Sequence, residues 1–177
     1  MNPVRWLMWL RARMPALRQA VPRRARWAVI TLAVGLCLAT FGPALAGAAG
    51  AELSSVEAFV HAASSPFCHQ LPSRSFIVSG HALPLCTRCT GMWIGITLGV
   101  ALGVAALWRH RWSVGMSAFI VGLALSEADH LREQSGQPGW PWVRFSLGLL
   151  LFAGLTIAVS FDVLALLWAG WRALRRS

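Results

Sequence analysis

TGMWIGITLGVALGVAALW, residues 90–108, carries no charged side chain, and its reading decides the fold. As an α-helix its 19 residues rise about 28 Å, against a bilayer core of about 30 Å. Glycine recurs within it at Gly91, Gly95, Gly99 and Gly103. A spacing of four places these on one face. In lipid, where tight packing replaces the hydrophobic drive, such a face lets another helix backbone approach closely. The segment therefore predicts a membrane-spanning helix with a packing stripe, one that suits a homo-oligomer or a membrane-protein partner.

Working outward, three further runs qualify as spans: residues 27–47, 112–128 and 143–171. The third of the four is short, and the last is long enough to tilt or project from the membrane. Of the 177 residues, 56% are hydrophobic and only 12% charged, about half the usual charged fraction of a soluble domain. The fold expected is all-α: an integral membrane bundle of four transmembrane helices. Residues 1–26 form a basic, amphipathic cytoplasmic segment suited to the inner membrane surface. Residues 27–171 form the transmembrane domain, with a Cys/His-containing extracytoplasmic loop at 48–89. Residues 172–177 form a cytoplasmic tail.

The formal charge is +10 and every basic residue is arginine. Nucleic acid is not the implied partner, because the arginines cluster at the ends of apolar runs, as topology signals do. Seven precede the first span, whereas the long loop after it holds only Arg74 and Arg88. Arg109 and Arg111 occupy the turn after the second span, and Arg172, Arg175 and Arg176 the tail. Positive-inside counting predicts a multi-pass protein of a bacterial-type cytoplasmic (inner) membrane with both termini in the cytoplasm. A competing reading makes residues 27–47 a cleaved signal peptide, but the basic stretch ahead of it is long for one. Trp108, Trp112, Trp140, Trp142, Trp168 and Trp171 fall at expected membrane edges, as an interfacial belt requires.

Immediately before the glycine-striped span lies FCHQLPSRSFIVSGHALPLCTRC, residues 67–89, which gathers Cys68, His69, Cys86 and Cys89. Cys86-Thr-Arg-Cys89 is a CxxC at the start of a helix. Unpaired N–H groups and the helix dipole lower a thiol pKa there, and Arg88 adds a cation. The same spacing is a two-ligand bite for zinc or another thiophilic metal, which Cys68 and His69 would complete. Three readings follow: a metal site on Cys68, His69, Cys86 and Cys89; redox chemistry by Cys86 and Cys89 with Cys68 as exchange partner; or a structural disulfide. Cys37, mid-span, reads as a small buried hydrophobe.

The string Cys68-His69-Gln70, Arg74-Ser75-Phe76, Gly80, Leu83 to Gly91 and Gly95 resembles the signature of the prokaryotic membrane-protein family catalogued as domain of unknown function 2085. The match is dense over residues 67–95 and thinner to about residue 150. There Asp129, Arg144 and Gly148 resemble later family positions, with His130 where the pattern has glycine. The resemblance implies a multi-helix membrane protein with a shared Cys/His loop, and no activity. The architecture is also similar to disulfide-bond formation protein B and, more loosely, vitamin K epoxide reductase. That similarity implies electron transfer from the CxxC to a quinone, with Arg88 or Arg144 holding it. Those enzymes carry a second cysteine pair, which this sequence lacks.

SEADHLRE, residues 126–133, adds Glu127, Asp129 and His130 at the level of the cysteine pair. With Arg74 and Arg88 they are candidates to support the site, as extra ligand, hydrogen-bond partner of a ligand, or general base. The alternative for this segment is a solvated polar turn in which Arg132 and Glu133 mix at the surface. Asp162 reads as snorkelling or paired with a tail arginine. No serine triad, P-loop, dinucleotide fingerprint or HExxH motif is present. The leading function is therefore an extracytoplasmic zinc-type site. A quinone-linked thiol-disulfide oxidoreductase is the alternative, and a stapled assembly partner the third.

Overall fold

The computed structural model describes residues 12, 14–50, 54–105, 111–137 and 139–175. Residues 1–11 and 13 of the expected amphipathic N-terminal segment lie outside the described residues, as do Trp108, Arg109 and His110. Among the described residues four helices are long and apolar enough to cross a membrane: α1 (Arg23–Ala48), α3 (Thr87–Ala105), α4 (Arg111–Gln134) and α5 (Pro141–Leu174). The chain is an all-α membrane bundle. Leu32, Leu38, Ile120, Leu131 and Leu167 are each about 60% exposed, which in this setting is contact with lipid.

α5 is the axis. Its packing against α3 is the most extensive in the molecule, α4 lies against it on another side, and α1 joins through α3. The glycine stripe explains the closeness. Gly91, Gly95, Gly99 and Gly103 are all buried, and all face α5. A Cβ added at Gly95 would stand 2.6 Å from the Leu149 carbonyl oxygen, and one at Gly103 2.9 Å from that of Ile157. α5 answers with Gly148 against the Arg88 carbonyl and with Gly154, whose added Cβ would lie 2.6 Å from Phe119 N on α4. The expectation that this face receives a second chain is corrected: a helix of the same chain fills it.

The long loop between the first two spans is more structured than the sequence suggested. It holds an amphipathic helix, α2 (Ser54–Ser64), and an antiparallel hairpin of β1 (Ser75–Val78) and β2 (His81–Cys86). Ser79 and Gly80 have φ of 49° and 85°, the left-handed pair that a two-residue hairpin turn requires. Val78 pairs with His81 and Ile77 with Ala82, but Ser75 pairs with Cys86, so β2 bulges around Pro84. Proline has no N–H to give the ladder, which makes a bulge the place for it.

Two boundaries also move. α3 begins at Thr87, between the two cysteines rather than after them, so Cys86 ends β2 and Cys89 lies in the first helical turn. α4 runs on to Gln134, so SEADHLRE is helix, not a polar turn. Its end is a Schellman-type cap. Gly136 (φ 82°) donates to Glu133 O at 3.0 Å and Gln137 to Arg132 O at 3.3 Å. Pro141 then opens α5 at a position where a missing N–H costs nothing.

Candidate thiol site and its arginine frame

The start of α3, the end of α4 and the start of α5 meet at one end of the bundle, and the hairpin and the end of α2 close over them. Cys68 leaves α2 through a final turn, its N–H donating to Ser64 O at 3.2 Å. Gln70, with φ 51°, reverses the chain. Its side-chain amide donates to His61 O (2.7 Å) and Pro84 O (3.0 Å), pinning the Cys68 segment between α2 and β2. Thr90 then ties the first turn of α3 back to Leu85 O at 3.2 Å.

These ties bring the sulfurs of Cys68, Cys86 and Cys89 within 4.8 Å of one another. Cys68 is buried and the other two are half-buried. They border an apolar cluster of Phe41, Ala44, Leu83 and Leu85, which Cys37 also joins. The Cys68 sulfur accepts two backbone N–H groups, from Cys86 at 3.2 Å and Gln70 at 3.5 Å. These donors hold the sulfur in place. The Cys86 thiol is lowered to about 5, first by the hydrogen bond it receives from the Cys89 thiol. The Cys89 backbone N–H, the Cys68 side chain and the Arg88 N–H add to that effect, while burial opposes it.

An ion-pair network frames the sulfurs. Asp129, only 6% exposed, faces three guanidinium groups: Arg88 Nη2 at 3.0 Å, Arg132 Nη2 at 3.4 Å and Arg144 Nε at 3.5 Å. Glu133 takes Arg74 Nη2 at 2.5 Å and Arg144 Nη2 at 2.8 Å. Four arginines thus share two carboxylates. A cavity of about 210 Å³ opens between network and sulfurs, lined by His69, Arg74, Cys86, Thr87, Arg88, Cys89, Glu133 and Arg144.

The expected site residues divide accordingly. Cys68, Cys86 and Cys89 converge. His69, expected as the fourth ligand, is exposed on the cavity wall, and its ring nitrogens stand apart from the converging sulfurs. Arg74 and Arg88 enter the frame, and so does Asp129. Glu127 and His130 do not: both are exposed, and His130 Nε2 meets Gln134 Nε2 at 3.0 Å. Glu133, read as part of a surface mix, proves to be a bridging residue. Its spacing of four from Asp129 on one helix was the signal that could have found it. Gln70, quoted only for its place in a pattern, is the clamp of the Cys68 segment.

At the opposite end Asp162 pairs with Arg18 at 2.6 Å and Arg111 at 2.7 Å, arginines from before the first span and from the start of α4 rather than from the tail. Arg26 and Arg111 also stack over Phe161, at 4.9 and 5.3 Å from its ring centre.

No solved structure matches the chain. Among curated proteins it is 40% identical over 43 residues to an uncharacterized protein of Methanocaldococcus jannaschii, covering 24% of this chain and 28% of that one. It is 50% identical over 28 residues to an uncharacterized protein of Methanothermobacter thermautotrophicus, covering 16% and 25% of the two chains. The matched stretches therefore span only about a quarter of these relatives' lengths. The profile of the family described as "Predicted membrane protein (DUF2085)" matches residues 68–160, from the first clustered cysteine to the middle of α5. With its four apolar helices and the thiol end that this match encloses, the chain belongs to that family of membrane proteins.

Proposed function

We propose that the thiol end is a metal site in which Cys68, Cys86 and Cys89 hold zinc or another thiophilic cation, with His69, on the wall of the adjoining cavity, the candidate to complete the set. The observation that carries this reading is the convergence of three sulfurs, from segments 18 residues apart, within 4.8 Å. Tetrahedral zinc with bonds of about 2.3 Å needs sulfurs about 3.8 Å apart, within the reach of small rotamer changes here. The donors to Cys68 Sγ and the acid shift of Cys86 suit thiolate ligands. The two excess guanidinium groups suit the net negative charge of three thiolates around a divalent ion. A bound metal would contribute folding energy to the α2–hairpin cap. From the arginine distribution, we place this end on the extracytoplasmic side of a cytoplasmic membrane, with both chain termini inside.

Metal analysis of full-length protein purified without chelator tests the reading. About one metal per chain is expected, lost in Cys68→Ser and Cys86→Ser. Metal-free protein with a Cys86–Cys89 disulfide would overturn it.

A second reading is favoured by one specific observation, the lowered Cys86 thiol. Cys86 and Cys89 would give two electrons and two protons to a membrane quinone, forming their disulfide and the quinol. Quinone reduction by dithiol-treated protein, unaffected by His69→Ala and abolished by Cys86→Ser, would favour it over the metal.

A further inference from the structure

We propose that the cavity beside the sulfurs binds a small oxyanion, phosphate, sulfate or carboxylate in type, between the guanidinium groups of Arg74, Arg88 and Arg144. The inference shares a wall with the proposed metal site but does not depend on a metal. Three observations carry it. The first is charge: around the cavity four arginines share two carboxylates, a local excess of two guanidinium groups.

The second is an unmet hydrogen-bond demand. Arg144 is 8% exposed and Arg88 partly buried, and in each the Nε–H is buried without an acceptor. The 3.5 Å separation of Arg144 Nε from Asp129 is an ion-pair distance without hydrogen-bond geometry. Buried polar groups in native proteins are nearly always satisfied, so these orphaned Nε–H groups leave two of the cavity-lining arginines with donor capacity that an acceptor from outside the chain would meet. A guanidinium presents paired donors in a fork that matches carboxylate and phosphate oxygens.

The third observation is how the arginine side chains are held. Glu133 holds Arg74 and Arg144 from one side, fixing their orientation while leaving donors over. At about 210 Å³ the cavity admits an oxyanion with a small substituent, not a large cofactor. Free phosphate and a lipid headgroup share this chemistry.

The test is calorimetric titration of the full chain in phosphate-free maltoside micelles with sodium phosphate, at ionic strength held constant with chloride. Saturable binding at one site per chain is expected. Arg74→Gln should weaken it about tenfold or more, the loss of one charge-assisted hydrogen bond. Arg74 is half exposed, so that variant keeps its fold. Arg88→Gln should act in the same direction. His130→Ala, exposed and outside the cavity lining, should stay within about twofold.

The Arg74→Gln effect must be present in chelated protein. An effect seen only in metal-loaded protein would make the anion a ligand of the metal and overturn the proposal, while metal-free protein that binds phosphate would sink only the metal reading. A soluble short-chain phosphatidylglycerol, titrated in competition, identifies the headgroup as the source if it displaces phosphate and the free ion if it does not. Absence of saturable binding by monodisperse wild-type protein, or binding unchanged in both Arg74→Gln and Arg88→Gln, would end the idea.

Discussion

Arg88 donates from Nη2 to Asp129 Oδ2 at 3.0 Å, so the residue between the two cysteines of the CxxC is tied to a buried carboxylate on another helix. The orientation of the first turn of α3, and with it the position of Cys89, is thereby coupled to the end of α4. A motif local in sequence is held by a contact that spans 41 positions of the chain.

Removing that carboxylate should be costly. Asp129→Asn leaves Arg88, Arg132 and Arg144 around a neutral group, and breaking a buried ion pair costs about 3–5 kcal/mol. A clear fall in melting temperature in detergent is expected, together with faster alkylation of Cys89. Glu127→Gln and His130→Ala, both exposed, should shift the midpoint little. Equal effects from all three would show that Asp129 has no special part in the frame.

The helix contact gives a second expectation. Gly95→Ala places a Cβ 2.6 Å from a carbonyl oxygen and 3.0 Å from the Ala153 amide nitrogen on α5, so backbone must move. Overpacking of this kind costs about 1–3 kcal/mol. Gly35→Ala on α1 meets nothing within 4 Å and should be neutral or slightly stabilising, since alanine is the better helix former. Unfolding titrated with a denaturing detergent reads the difference. A Gly95→Ala protein as stable as wild type would mean the two backbones are not in contact.

The acidity of Cys86 sets a third. In reduced, chelated protein its alkylation rate should already be on a plateau at neutral pH and fall only as pH drops through about 5. An ordinary thiol would still be gaining rate at pH 8. The sign for stability follows: between the unfolded value near 9.0 and the folded value of about 5, the unfolded chain binds the extra proton. Stability is therefore lost as pH falls through the window, while Cys89, raised by the same hydrogen bond, keeps its proton throughout. Cys86→Ser should flatten that portion of the stability profile. A rate still climbing tenfold per pH unit from 6 to 8 would refute the assignment.

What could be read from sequence, and what could not, divides along physical lines. Span length and the absence of charge report on the solvent, so the four helices were legible. Glycine spacing reports that something approaches closely, but not what, which is why a second chain was expected where α5 lies. The hairpin was announced by Ser79-Gly80 between FIV and HALPL, yet a polar, proline-broken segment hides so short a ladder. The three cysteines were legible because sulfur is scarce in this chain. His69 could not be placed from sequence because adjacency to Cys68 says nothing about which way the chain turns, and Gln70 decides that. Glu133 and Arg144 were obscure as a pair, since only the meeting of α4 and α5 brings them together.

The 34-residue α5 carries Arg144 near one end and Asp162 eighteen positions further on. At 1.5 Å per residue these lie about 27 Å apart along one rod. Each enters an ionic cluster built from other parts of the chain, and between them the rod is keyed to α3 by glycines at every turn. Such a helix has one axial setting. A slip of a single turn would unseat the thiol frame and the Asp162 cluster together, and would drive Cβ atoms into the glycine notches. The two ends of the bundle are thus held in one register by a single rod, and an axial displacement of α5 would disturb both clusters together.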